Sequence, residues 1–204
     1  MSTIFLETYN QIEEEVIQLT YDIAFDDAQL KVHSNHIANL ILMISTEIES
    51  ISKAIYRENG GRKRTPAFDY ECIDKMPNIK NANALVICRK MDFAKPENIV
   101  LFPFRKTEYK RNKTKTPIYP WNNAYQNLKH DKAKMEKRYA NIRYLMYSLA
   151  ALYALLIRYG TCPNSQIFSS LDDNGMYWKP SRGRIACNID SAEVKQYYLQ
   201  NRTA

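Results

Sequence analysis

Ile37, Ile41, Ile44, Ile48, Ile51 and Ile55 repeat at offsets of 0, 4, 7, 11, 14 and 18. No β-strand tolerates that spacing, because successive strand residues alternate faces with a period of two. On a helix the same residues form one unbroken apolar stripe. A helix over residues 36–57 follows, with Ser34 or Asn35 placed to cap its start and "ENGG" placed to end it. A chain holding a stripe this long needs other helices to cover it.

Two such partners are legible. Ile12, Val16, Leu19 and Ile23 sit at i, i+4, i+7 and i+11 and predict an amphipathic helix over 4–24. From Trp121 to about Arg158 the pattern predicts one long central helix, amphipathic at first and apolar nearly all round in its second half. A short last helix is expected near 191–200. Between the helices, "ALVICRKMDF" and "NIVLFPF" are β-branched and aromatic runs separated by "AKPE". They predict a β-hairpin insertion at about 83–104. The expected fold class is mainly α: a helical bundle with a long central helix at about 121–158 and that small hairpin. The chain reads as a single domain over 1–204 with an insertion at about 66–118 and an irregular segment at 160–204, where "DDNG" and "KPSRGR" signal turns.

Charge is distributed unevenly along the chain. Residues 1–30 hold seven acids and no Lys or Arg, so the rest carries 29 basic against 15 acidic residues, a net of +14. Residues 101–158 hold thirteen basic against three acidic. Six Lys or Arg fall in the eleven positions from Arg105 to Lys115, with Tyr109 among them. Cations that contact phosphate next to an aromatic that stacks on bases suit a single-stranded polyanion. Arg105, Lys106, Lys110 and Arg111 are the candidate contacts. The alternatives are an acidic helix of the chain docking on the basic part, or a plainly solvated surface.

The apolar run at 145–157 is too short to cross a bilayer. No signal peptide is evident, and the four cysteines make no C-x-x-C pair, so a soluble, cytoplasmic chain with reduced thiols is expected. Walker, G-x-G-x-x-G, H-E-x-x-H and G-x-S-x-G motifs are all missing from the sequence, and no cofactor is expected.

Chemistry is most concentrated in "YPWNNAYQNLKHDKAK", residues 119–134. At about 100° per residue, Asn123, Asn127, His130, Lys134 and Lys137 share a helix face set apart from the apolar one. A neutral imidazole at His130 is suited to proton transfer, with Asn127 holding a ligand by hydrogen bonds and Lys129 or Lys134 holding a phosphate. Alternatively, His130 pairs with an acid such as Glu47, a carboxylate beside the isoleucine stripe. His33 and His36 have the i, i+3 spacing that two metal ligands use, but no third ligand lies close in sequence.

"IANLILMISTEIESISKAIY" (37–56) followed by "WNNAYQNLKHDKAKMEKRYANIRYLMYSLAALYALL" (121–156) resembles the HEPN superfamily of small α-helical domains over about 60 of the 204 residues. The resemblance implies an RNA-binding and often dimeric protein of the toxin–antitoxin or phage-defence kind, with a protein partner such as an antitoxin. Nucleases of that family carry R-x(4–6)-H. His130 matches the histidine, but Tyr125, Ala124 and Asn123 stand where the arginine is due. The resemblance therefore implies a site of His130, Asn127 and Glu47, with Asn123, Lys129 and Lys134 around it, and divergent or absent ribonuclease activity. A non-enzymatic dimeric assembly module is the alternative reading.

Overall fold

The computed structural model describes residues 4–110, 114–161, 163–171 and 192–202. The turn signals at 172–175 and 179–184, and Arg111, lie outside these residues. Helices dominate. α1 spans Ile4–Asp22, α2 Asn35–Glu58, α3 is a single turn at Pro96–Ile99, α4 spans Pro120–Tyr139, α5 Ile142–Arg158 and α6 Ala192–Arg202.

α2 is the axis of the bundle. Ile37, Ile41, Ile44, Ile48 and Ile51 are fully buried and Ile55 nearly so, packed mainly against α5 and α4. Ser34 caps its start, its Oγ accepting from the Ile37 amide at 3.1 Å. Its end is a Schellman turn: Gly60 takes φ +82° and the Gly61 amide reaches back to the Tyr56 carbonyl at 2.9 Å. Gly160, at φ +80°, closes α5 the same way.

The expected single helix over 121–158 is two helices. Asn141 leaves the helical region at φ −123°, ψ 167°, and its side chain accepts from the Tyr144 amide to cap α5. Asp131 interrupts α4 itself at φ −153°, ψ 72°. Short polar side chains compete with the helix ladder for backbone N–H groups, and here they prevail twice. The segment before α2 docks on the second break, where His33 forms an antiparallel bridge with Asn141.

The expected hairpin is also rearranged. β2 (Ala84–Val86) pairs antiparallel with β4 (Val100–Leu101), but β7 (Phe168–Ser169) joins the other edge of β2 to make a three-stranded sheet. The second half of the first run, β3 (Met91–Asp92), instead pairs parallel with β1 (Phe25–Asp26) beside the end of α1. Pro96 cannot donate to a ladder and opens α3 at a first-turn position. β5 (Glu108–Tyr109) and β6 (Pro117–Ile118) form an antiparallel ribbon leading into α4. Among the described residues no helix is long and apolar enough to cross a membrane.

Candidate polyanion-binding site

The start of α4 is anchored by aromatics. Trp121 is fully buried, stacks on Tyr119 at 5.6 Å between ring centres, and donates its indole N–H to the Pro103 carbonyl at 3.0 Å. Phe68 and Phe104 pack on the same indole. That anchor orients the next turn and points Asn123 at the β5–β6 ribbon.

There Asn123 meets Glu108, the one acid between Arg105 and Lys115. Its Nδ2 donates to the carboxylate at 2.8 Å, and the Tyr144 hydroxyl of α5 donates to the same group at 3.0 Å. Arg143 lies 3.4 Å from it. A carboxylate of this kind only accepts, so Asn123 must turn its NH₂ toward it and its Oδ1 away. Asn127 then donates to that Oδ1 at 3.0 Å and to the Asn123 main-chain carbonyl at 2.8 Å. Both N–H bonds of Asn127 are used, which leaves its Oδ1 as the group available to a ligand. Burial, and secondly Glu108, push the Tyr144 hydroxyl well above its ordinary pKa, so it remains a donor.

Four residues beyond Asn127 the helix breaks. Asp131 accepts from the Lys134 amide at 3.3 Å and pairs with the Lys134 ammonium at 3.0 Å, capping the second half of α4. The Lys134 contact holds the Asp131 carboxyl below its usual range. His130, exposed, is the last helical residue before the break. Lys110, Asn127, His130, Asp131 and Met135 line a pocket of about 350 Å³ at this point.

The structure brings Asn123, Asn127, His130 and Lys110 together and separates the remaining candidates. Lys129 points elsewhere, with its ammonium 3.3 Å from the Tyr125 hydroxyl and over that ring. Lys134 is taken by Asp131, because the break at 131 destroys the continuous helix face that placed it with His130. Glu47 does not line the pocket; it is half-buried on α2, where burial raises its carboxyl pKa. Arg105 and Lys106 line a different cavity. Arg111 lies outside the described residues. His36 sits 3.5 Å from Glu15, and no group of three His, Cys, Asp or Glu among the described residues is placed to hold a metal.

Sequence reasoning missed Glu108, Gln126 and Asp131. Glu108 had a signal, as a lone acid in a basic stretch. Asp131 had one too, since Asp is a preferred helix N-cap and sits in mid-pattern. Gln126, another pocket residue, donates to Asn122 at 3.3 Å and had none. The chain matches no known family model, no curated protein and no solved structure.

Proposed function

We propose that the protein binds a polyanion, single-stranded RNA foremost, in the pocket at the break in α4, and that it is a HEPN-like helical protein whose site works without the motif arginine. The observation that carries this reading is the convergence of exposed His130, Lys110 and Asn127, whose two N–H bonds are already used, on one pocket. A nucleotide offers each of these a partner: a phosphate for Lys110, a ribose hydroxyl for Asn127 Oδ1, and an acceptor or a proton for the imidazole. The packing of α2 on α4 and α5, with the polar element opening α4, supports the HEPN-like reading.

Cleavage asks more of the same residues. His130 would move the proton of a ribose 2′-OH while a cation stabilised the charge on phosphorus. Positions 123–125, where the family's arginine is due, hold the buried side chains of Asn123, Ala124 and Tyr125. Among the described residues, Lys110 is the cation that lines the pocket beside His130. Binding is therefore the primary activity in this reading, in a defence or toxin–antitoxin setting.

The test is fluorescence anisotropy of a labelled single-stranded RNA across a series of salt concentrations. The logarithm of affinity should fall linearly with the logarithm of salt, and Lys110→Ala should make that slope shallower by about 0.7 to 1. His130→Ala should weaken binding at one salt concentration and leave the slope unchanged. Absence of binding at low salt overturns the reading. RNA cut by wild-type protein and left whole by His130→Ala would add catalysis to it.

A further inference from the structure

Two amides that line the α4 pocket, Gln126 and Asn127, have their orientation set by carboxylates outside α4. For Asn127 the carboxylate is Glu108, acting through Asn123. For Gln126 it is Asp69, in the short helical turn Phe68–Cys72. Asp69 accepts from Asn122 Nδ2 at 3.3 Å, and Asn122 Oδ1 accepts from Gln126 Nε2 at 3.3 Å. The second relay therefore repeats the first, one residue earlier on the helix. Both asparagines in the middle are buried.

Each relay fixes which atoms remain for a ligand. A carboxylate only accepts, so Asn122 and Asn123 must both turn NH₂ toward it and Oδ1 toward the next turn. Each Oδ1 then requires an N–H from the amide four residues later. Asn127 has both N–H bonds engaged, at Asn123 Oδ1 and the Asn123 main-chain carbonyl, and offers only an acceptor. Gln126 has one N–H engaged and keeps the other beside Oε1. Inverting either amide would set oxygen against oxygen along its relay, an arrangement that buried polar groups avoid. Asp131, also in the lining, adds a carboxylate and no donor.

We propose that the pocket selects a nucleobase with an exocyclic amino group next to a ring-nitrogen acceptor, adenine or cytosine, over uracil. This selection rests on the polyanion-binding reading of the same pocket. An amino group has two hydrogens, and Gln126 Oε1 and Asn127 Oδ1 are two acceptors for them. The remaining Gln126 N–H donates to the adjoining ring nitrogen, the paired contact by which an amide side chain reads adenine. Asn127 Oδ1 has a second lone pair, so the ribose hydroxyl keeps its partner. Uracil holds a carbonyl where cytosine holds the amino group, and an N–H where cytosine holds the acceptor. Its carbonyl would face two oxygens and its ring N–H would face the Gln126 N–H, leaving both unpaired. Ile118 and Met135 supply apolar wall for the flat faces of the base, and about 350 Å³ suits one nucleotide unit.

The experiment is fluorescence anisotropy of the full chain with two labelled RNA oligonucleotides of equal length, one all cytidine and one all uridine. The two bases share size and shape, so the comparison isolates the polar edge. Wild type should bind the cytidine strand about tenfold more tightly, with one salt slope for both because their phosphates are alike. Glu108 is a positioning residue. Glu108→Gln supplies a donor in its place, frees Asn123 and Asn127 to invert, and should bring the ratio of affinities close to unity. Asn127→Ala, at a half-buried position, removes one acceptor and should lower the ratio severalfold through the cytidine strand alone. A purely structural defect would weaken both strands together and leave the ratio where it was. Wild type binding the two strands equally or uridine more tightly, or a ratio unmoved in both variants, overturns the base selection and leaves polyanion binding standing. Binding of neither strand at low salt overturns both.

Discussion

Glu13 shows how a single carboxylate can organise distant segments. It is 3% exposed on α1 and receives the Tyr9 hydroxyl at 2.8 Å, the Ser165 hydroxyl, and the amides of Gln166 and Ile167 at 3.0 and 3.2 Å. The bonds tie α1 to the strand that completes the β2 sheet. Removing the carboxylate leaves the Tyr9 and Ser165 hydroxyls only each other, at 2.9 Å, and the Ile167 amide only Ser165 Oγ, at 3.2 Å, and under-satisfied buried donors are expensive. Glu13→Ala should lower stability by about 3 kcal/mol in urea unfolding. Glu13→Gln should lower it less, because one oxygen remains to accept. In the sequence Glu13 is the first of three consecutive glutamates, next to the apolar position Ile12, and nothing local marks it off from Glu14. The relay through Glu108, Asn123 and Asn127 was partly legible in the same sense. Its asparagines stand out on a helix face, while the carboxylate that orients them lies fifteen residues before Asn123.

At the scale of elements, periodicity located the helices and capping residues divided them. The isoleucine stripe is a repeated signal spread over five turns, so one misplaced residue does not hide it. The breaks at Asp131 and Asn141 each depend on one side chain, and an apolar pattern that continues past them conceals both. Asn141 does more than cap α5: its Nδ2 donates to the Arg138 carbonyl at 2.9 Å and so finishes α4 as well. Asn141→Ala should destabilise the protein by about 1 kcal/mol, measured by thermal or urea unfolding, with Asn141→Asp recovering most of the loss. Gly160→Ala should cost about 1 kcal/mol for the separate reason that φ +80° crowds a Cβ. The strands were harder to place than the helices. Two-residue strands carry little pattern, and what decides their partners is which neighbour the helices bring alongside.

Across the whole molecule, buried and half-buried tyrosines link the fold to pH. Tyr9, Tyr119, Tyr144 and Tyr147 all have hydroxyls pushed above their ordinary pKa, in each case chiefly by burial and then, for the first three, by a nearby carboxylate. A group whose folded pKa is raised gives stability that is complete below the unfolded value. That stability is lost as pH climbs from the unfolded value toward the folded one. Tyrosine in an unfolded chain ionises near pH 10, so stability should hold up to about pH 10 and then fall steeply. Urea unfolding followed between neutral and strongly alkaline pH checks this, and Tyr144→Phe should make the fall shallower. A stability that stays level through the alkaline range would contradict it.

The division between sequence and tertiary structure follows from range. The sequence by itself determined where α1 and α2 run, that the stretch 121–158 is helical but not where it breaks, that α2 is buried along one stripe, which glycines close α2, and that residues 119–134 carry a polar face. These are properties of residues within a few turns of one another, which periodicity and capping record directly. Only the tertiary structure decided that the basic stretch from Arg105 is divided, with Arg105 held by Phe102 and Asn201, Lys106 paired with Asp74, and Lys110 left at the α4 pocket. It alone decided that Glu47 stays outside that pocket and that Glu108, not a solvated charge, orients Asn123. Those outcomes depend on partners from 15 to 96 residues away in the chain, and a charge carries no mark of which distant group will meet it.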